Sequence, residues 1–164
     1  MKIFVTVGTQ LPFPRLIKRI DELASSPQGA SFYFSAQVGN DPEPYNTIQT
    51  KSFLDEEEYD LALKDCDLII SHAGMGTLLS AKERNIPLLI VPRNHLLHEH
   101  RNSHQADTAR WLEQEHICRI IWDVSELTID FLKRFIGTRS SHSDVIDRTN
   151  RDRLLRAIEL DIQS

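Results

Sequence analysis

A chain of 164 residues with 40% hydrophobic and 26% charged side chains has the composition of an ordinary globular protein, most simply one domain with a proper core. Its formal charge of −5 gives no electrostatic reason to expect nucleic acid as a partner. Cys66 and Cys118 fit neither a metal spacing nor a disulfide framework, Met1-Lys2 runs straight into a strand-like segment, and no apolar run approaches the roughly 20 residues of a membrane helix. A cytoplasmic protein is expected, with any membrane contact peripheral or through a partner.

In chain order the pattern alternates strand and helix. Ile3 to Val7 is apolar and β-branched with little alternation, as in a buried parallel strand. Gly8-Thr9-Gln10 is a turn, Pro12 suits the first turn of a helix, and Phe13, Leu16, Ile17, Ile20 and Ala24 follow with helical spacing. Ser25 to Gly29 breaks that helix, and Ser31 to Ala36 forms a second strand. Residues 37 to 47 read as loop, with a short strand at Thr47 to Thr50. Acidic residues open the segment Asp55 to Lys64 and a lysine ends it, matching a helix dipole.

A strand at 67 to 71, a helix from Met75 to Arg84 and a strand at Leu88 to Val91 make a βαβ unit. A polar loop over 92 to 103 precedes a helix to Gln114, a strand at Ile117 to Trp122 and a helix at Leu127 to Phe135. Trp111 and Trp122 are expected in the core. The domain is placed at 1–136, a linker at 137–146 and a last helix at 147–164, where Leu154, Leu155, Ile158 and Ile162 share one face. The fold class expected is α/β, a doubly wound, Rossmann-like and mostly parallel sheet, with ligands at the carboxyl ends of its strands.

Three turns should meet at that edge: Gly8-Thr9-Gln10, Ser71 to Thr77, and the loop ending in His104-Gln105. The second carries most information. An apolar strand stops at a polar turn, and Gly74 and Gly76 open a helix whose first amides lack internal partners. Such a terminus attracts phosphate, provided the backbone is bare enough to approach. It is neither a Walker A sequence nor a G-x-G-x-x-G fingerprint, and a tight junction that needs small residues only for packing is the plainer alternative. His95, His98, His100 and His104 with Glu99 resemble a metal cluster, yet Arg93 and Arg101 flank them and would oppose a cation. A basic loop that reaches a diphosphate is the favoured reading. Glu56, Glu57 and Glu58 read as a solvated helix start.

Ile3 to Gln10, Ser71 to Thr77, Ile86-Pro87, Val91-Pro92-Arg93 and Glu99-His100-Arg101-Asn102-x-His104-Gln105 resemble, in that order, the motifs of glycosyltransferase family 28. The likeness runs from Met1 to about Ile121. Specifically, the chain resembles the small catalytic subunit of the split enzymes, such as the cytosolic half of the dolichol-pathway N-acetylglucosaminyltransferase and the PssE-like proteins of exopolysaccharide synthesis.

That resemblance implies the C-terminal, donor-binding lobe of a GT-B enzyme. It implies a UDP-sugar as donor substrate, no cofactor and no metal, and an inverting transfer to a lipid-linked sugar acceptor. The partner implied is a membrane-anchored acceptor-binding subunit that recruits the chain to the inner face of the membrane and carries the general base. By position, Gly8, Thr9 and Gln10 would line the diphosphate, and Gly74, Met75, Gly76 and Thr77 would offer it amides. Phe53-Leu54 would read uracil through backbone groups, and Gln105 would touch the sugar. His72, His104, Arg93 and Arg101 complete the expected site. Where many members have a ribose-binding Glu this chain has Ser80, with Glu83 a turn further on. Two other readings compete: a non-catalytic nucleotide-sugar-binding subunit, and a UDP-sugar epimerase or hydrolase.

Overall fold

A computed structural model describes residues 1–9, 11–101 and 103–139. Gln10, Asn102, the linker residues from 140 and the stripe at Leu154, Leu155, Ile158 and Ile162 lie outside the described residues. Six strands, β1 (Lys2–Thr6), β2 (Tyr33–Gln37), β3 (Gln49–Lys51), β4 (Leu68–Ser71), β5 (Leu88–Ile90) and β6 (Arg119–Ile120), form one sheet in the order β3-β2-β1-β4-β5-β6. Every adjacent pair is parallel.

A parallel sheet must be covered on both faces, and the strand alternation supplies two apolar surfaces. Ile3, Val5, Leu68, Ile70 and Leu89 turn to one face, where α1 (Pro14–Ser25) packs Leu16, Ile17 and Ile20 and α5 (Ile129–Arg139) packs Ile129 and Leu132. Phe4, Ile69, Leu88 and Ile90 turn to the other, against Leu63 of α2 (Glu56–Leu63), Leu78 and Ala81 of α3 (Met75–Glu83), and Ala109 and Leu112 of α4 (His104–Gln114). The expected doubly wound α/β architecture is therefore what the chain adopts. After β3 the chain returns to the far side of β1, so the connections leaving β1 and β4 run to opposite faces. That reversal opens a crevice at the carboxyl ends of these two strands.

Local signals fix some element ends. Asp55 and Glu58 make a reciprocal capping box at the start of α2, and Ser26 caps a single 3-10 turn over Pro27–Ser31 ahead of β2. Three expectations are corrected. Trp122 is 40% exposed rather than in the core; its Nε1 donates to Glu113 at 3.1 Å and Arg110 lies over its ring. The strand expected over Ile117 to Trp122 is shorter: β6 pairs with β5 at Arg119 and Ile120, and the Ile121 N–H adds a bond to the Ile90 carbonyl at 2.8 Å. The helix expected to stop at Phe135 continues as α5 through Gly137 and Thr138 to Arg139. Among the described residues no helix is long and apolar enough to cross a membrane.

Candidate functional site

Five polar side chains are buried among the described residues: Thr6, Gln37, Ser71, Thr77 and Arg93. Thr6, Gln37 and Ser71 end β1, β2 and β4, Thr77 lies in the first turn of α3, and Arg93 follows β5. The rest of the buried interior is apolar. Burying polar groups costs free energy unless they are bonded, so their concentration at one edge of the sheet marks where the fold is organised around polarity.

A cavity of about 260 Å³ opens there, lined by Val7, Gly8, Thr9, Leu11, His72, Arg93, His100 and Gln105. Five of the expected site residues (Gly8, Thr9, His72, Arg93 and Gln105) thus converge from three separated segments. Gly8 has φ +78°, a conformation that disfavours a side chain. A Cβ there would also meet the His72 ring at 3.1 Å, and a Cβ at Gly74 would meet it at 2.5 Å. The imidazole is held between the two glycine turns, with Nδ1 3.3 Å from Ser71 Oγ. Enclosure, reinforced by the neighbouring Arg93 charge, pushes its pKa down to about 4. His72 is therefore a neutral hydrogen-bonding ring near neutral pH.

The expectation that Arg93 reaches out to a diphosphate meets a different arrangement. Its guanidinium donates to the carbonyls of Val7 (2.9 Å), Leu11 (2.6 Å), Pro12 (2.5 Å) and Glu99 (3.3 Å), and it lies over the Phe13 ring at 4.8 Å. Burial lowers its pKa to about 10, against the pull of Glu99. Arg93 lines the cavity as a clamp on the turn after β1. Glu99 is committed as well: both its oxygens take Arg15, at 2.7 and 2.9 Å, and one accepts the Asn94 N–H at 2.8 Å. The histidines do not gather around it. His95 and His98 are exposed, only His100 of the four faces the cavity, and no group of three metal-ligating side chains forms among the described residues.

The first turn of α3 lies on the other side of the His72 ring. Gly74 is its N-cap, and its own N–H is spent on the His72 carbonyl at 2.7 Å. The amides left without an intrahelical partner are those of Met75, Gly76 and Thr77. Among the described residues no side chain caps them, and a Cβ at Gly76 would meet nothing within 4 Å. None of the four lines the cavity itself. Ser80 donates its hydroxyl to the Gly76 carbonyl at 3.1 Å, so it serves its own helix. Glu83 ends α3, roughly 12 Å along the axis from its first turn, and is poorly placed to replace a ribose ligand.

Phe53 is exposed at 59%, and the Leu54 N–H is held by Gln37 Oε1 at 3.0 Å. Gln105 accepts the Arg93 N–H at 3.1 Å from the first turn of α4. Arg101 and His104 are exposed and outside the cavity lining, and Gln10 lies outside the described residues. Sequence reasoning missed Gln37 and Arg15 as supports of the cavity, and it singled out Glu99 without its pairing to Arg15. A polar residue ending an apolar strand, and one acid inside a basic loop, were the available signals.

Comparison with known proteins shows the family and the fold. The glycosyltransferase family 28 C-terminal domain matches residues 2–145. The UDP-N-acetylglucosamine transferase subunit ALG13 of Homo sapiens is 35% identical, with 73% of this chain and 11% of that protein aligned. Its Mus musculus counterpart is 32% identical with the same coverage, so the chain spans 11% of the length of these curated relatives. Among solved structures, the NMR solution structure of ALG13 superposes with a TM-score of 0.54 at 20% identity, covering 94% of both chains. The crystal structure of Acinetobacter baumannii MurG gives 0.51 at 20% identity, over 84% of this chain and 42% of that one. At such identities the structural likenesses speak for the fold.

Proposed function

The chain belongs to the glycosyltransferase family 28 C-terminal domain family, and on that premise we propose that it is the UDP-sugar-binding, catalytic subunit of a two-component inverting glycosyltransferase. The observation that carries the proposal is the uncapped first turn of α3, opened by Gly76 and set beside the Gly8–His72–Gln105 cavity at the crevice between β1 and β4. Helix N-terminal amides and the macrodipole suit a diphosphate. The Phe53-Leu54 turn would take the base, and Gln105 the sugar. The relatives named as UDP-N-acetylglucosamine transferase subunits make UDP-N-acetylglucosamine the first donor to test.

Breaking the bond at the anomeric carbon develops negative charge on the leaving UDP. The amides of Met75, Gly76 and Thr77 are fixed in place before reaction, and they would stabilise that charge more than the ground state. No metal has to supply that charge in this reading. His72, being neutral, donates or accepts a hydrogen bond there without adding a cation. The acceptor is a lipid-linked sugar, and its hydroxyl must be deprotonated by a base on a membrane-anchored acceptor subunit. The match of residues 2–145 to the family 28 C-terminal domain supports reading this chain as the donor-binding lobe.

The test is calorimetric titration of UDP into the native chain and Gly76→Val, followed by sugar transfer with and without the partner subunit. Binding in the parent, its loss in a Gly76→Val chain of unchanged melting temperature, and transfer only with the partner are expected. Equal UDP affinity in both chains would remove the phosphate role from α3. Full transfer by the chain alone would remove the two-component reading.

A further inference from the structure

Gln37 ends β2 with 4% of its surface exposed, and its amide bonds in two directions. Nε2 donates to the Gly8 carbonyl at 3.2 Å and to Thr6 Oγ1 at 3.4 Å, while Oε1 accepts the Leu54 N–H at 3.0 Å. The partners fix which end is which: a carbonyl on one side demands the NH2 group, and an N–H on the other demands the oxygen. One side chain therefore joins the turn after β1, on the diphosphate side of the proposed site, to the Phe53-Leu54 turn on its base side. The neighbouring backbone follows the same path. Val7 N–H donates to the Gln37 carbonyl at 3.1 Å, and Gly39 N–H donates to Ser52 at 3.0 Å. Gly39 has φ +63°, and a Cβ there would lie 3.5 Å from the carbonyls of Gly8 and Leu11.

We propose that Gln37 is a positioning residue that sets the spacing between the base-binding and diphosphate-binding turns, so that the two ends of a nucleoside diphosphate are recognised together. It touches neither end. The inference rests on the donor-site reading above. Two subsites held at a fixed distance let a ligand that spans them gain from both, because the second contact becomes intramolecular. Subsites that drift apart forfeit that gain while each still binds its own fragment.

The experiment is NMR titration of the native chain, Gln37→Met and Gln37→Glu with UDP, uridine and pyrophosphate, alongside amide hydrogen exchange at Leu54 without ligand. Gln37→Met is of similar length and loses all three bonds. It is expected to weaken UDP about tenfold, one net hydrogen bond's worth, and to leave uridine and pyrophosphate nearly unchanged. Gln37→Glu keeps an acceptor for Leu54 but sets an anion against the Gly8 carbonyl, so pyrophosphate and UDP should suffer more than uridine. Exchange at Leu54 should quicken in Gln37→Met and stay slow in Gln37→Glu. Unchanged UDP affinity, or equal weakening of all three ligands, overturns the proposal. Leu54 exchange that Gln37→Met leaves unaltered overturns it independently of any ligand. A native chain that binds none of the three, with the exchange pattern as expected, refutes the donor site while leaving the tether between the turns in place. Should Gln37→Met not fold, Gln37→Glu carries both readouts.

Discussion

The turn after β1 and the turn after β4 both carry glycines at the same sheet edge, yet they are built oppositely. In the first, carbonyls are held from the inside: Arg93 takes those of Val7, Leu11 and Pro12, and Gln37 takes that of Gly8. In the second, nothing among the described residues caps the helix start, and the Gly74 amide is spent on the His72 carbonyl. The His72 ring sits between them and explains two glycines by its bulk, Gly8 and Gly74. Gly76 has no neighbour that requires it. In the donor-site reading proposed above, a glycine at such a helix position, where alanine would be more favourable, keeps the backbone open to the diphosphate.

The largest effect that would test this contrast is expected from Arg93→Met. It leaves four carbonyls without their guanidinium donor, and a loss of about 3–5 kcal/mol in denaturant unfolding is predicted. A loss under about 1 kcal/mol would mean the turn is held elsewhere.

Next comes acid. The His72 value of about 4 in the fold lies below the ordinary 6.5, so the unfolded chain takes up its proton first. Its contribution is complete above pH 6.5 and drains away as pH falls toward 4, by at most about 3 kcal/mol. Denaturation of the native chain and His72→Asn at pH 7 and pH 4.5 isolates this share, and the variant should show the smaller drop. Identical drops would mean that the ring is not buried neutral.

The smallest effect separates the two glycines of the second turn. Gly74→Ala presses on a pinned ring 2.5 Å away and should cost about 1–2 kcal/mol. Gly76→Ala should leave stability equal or raise it by up to about 1 kcal/mol. Equal losses in thermal melts would erase the distinction drawn between them.

Much of this was legible in the residues. The order of strands and helices followed from apolar periodicity, and the open, glycine-bearing helix start at 71–77 from a strand, a polar turn and spaced glycines. Other features were not. Trp122 was expected inside and lies outside, because it follows the end of β6, past the Ile121 N–H that still bonds the Ile90 carbonyl of β5. Arg93 was singled out as a cation for the ligand, but its charge faces carbonyls of a segment some 80 residues earlier, a separation no local pattern reveals.

The sequence by itself determined that the chain is a doubly wound α/β domain and which three segments meet at the carboxyl edge of its sheet, because period and turn chemistry are local properties of the chain. Only the tertiary structure decided which polar residues face the cavity and which hold it in shape. Gln37, Glu99 and Arg15 act on partners distant in sequence, and their roles exist only once parallel strands bring those partners within hydrogen-bonding reach.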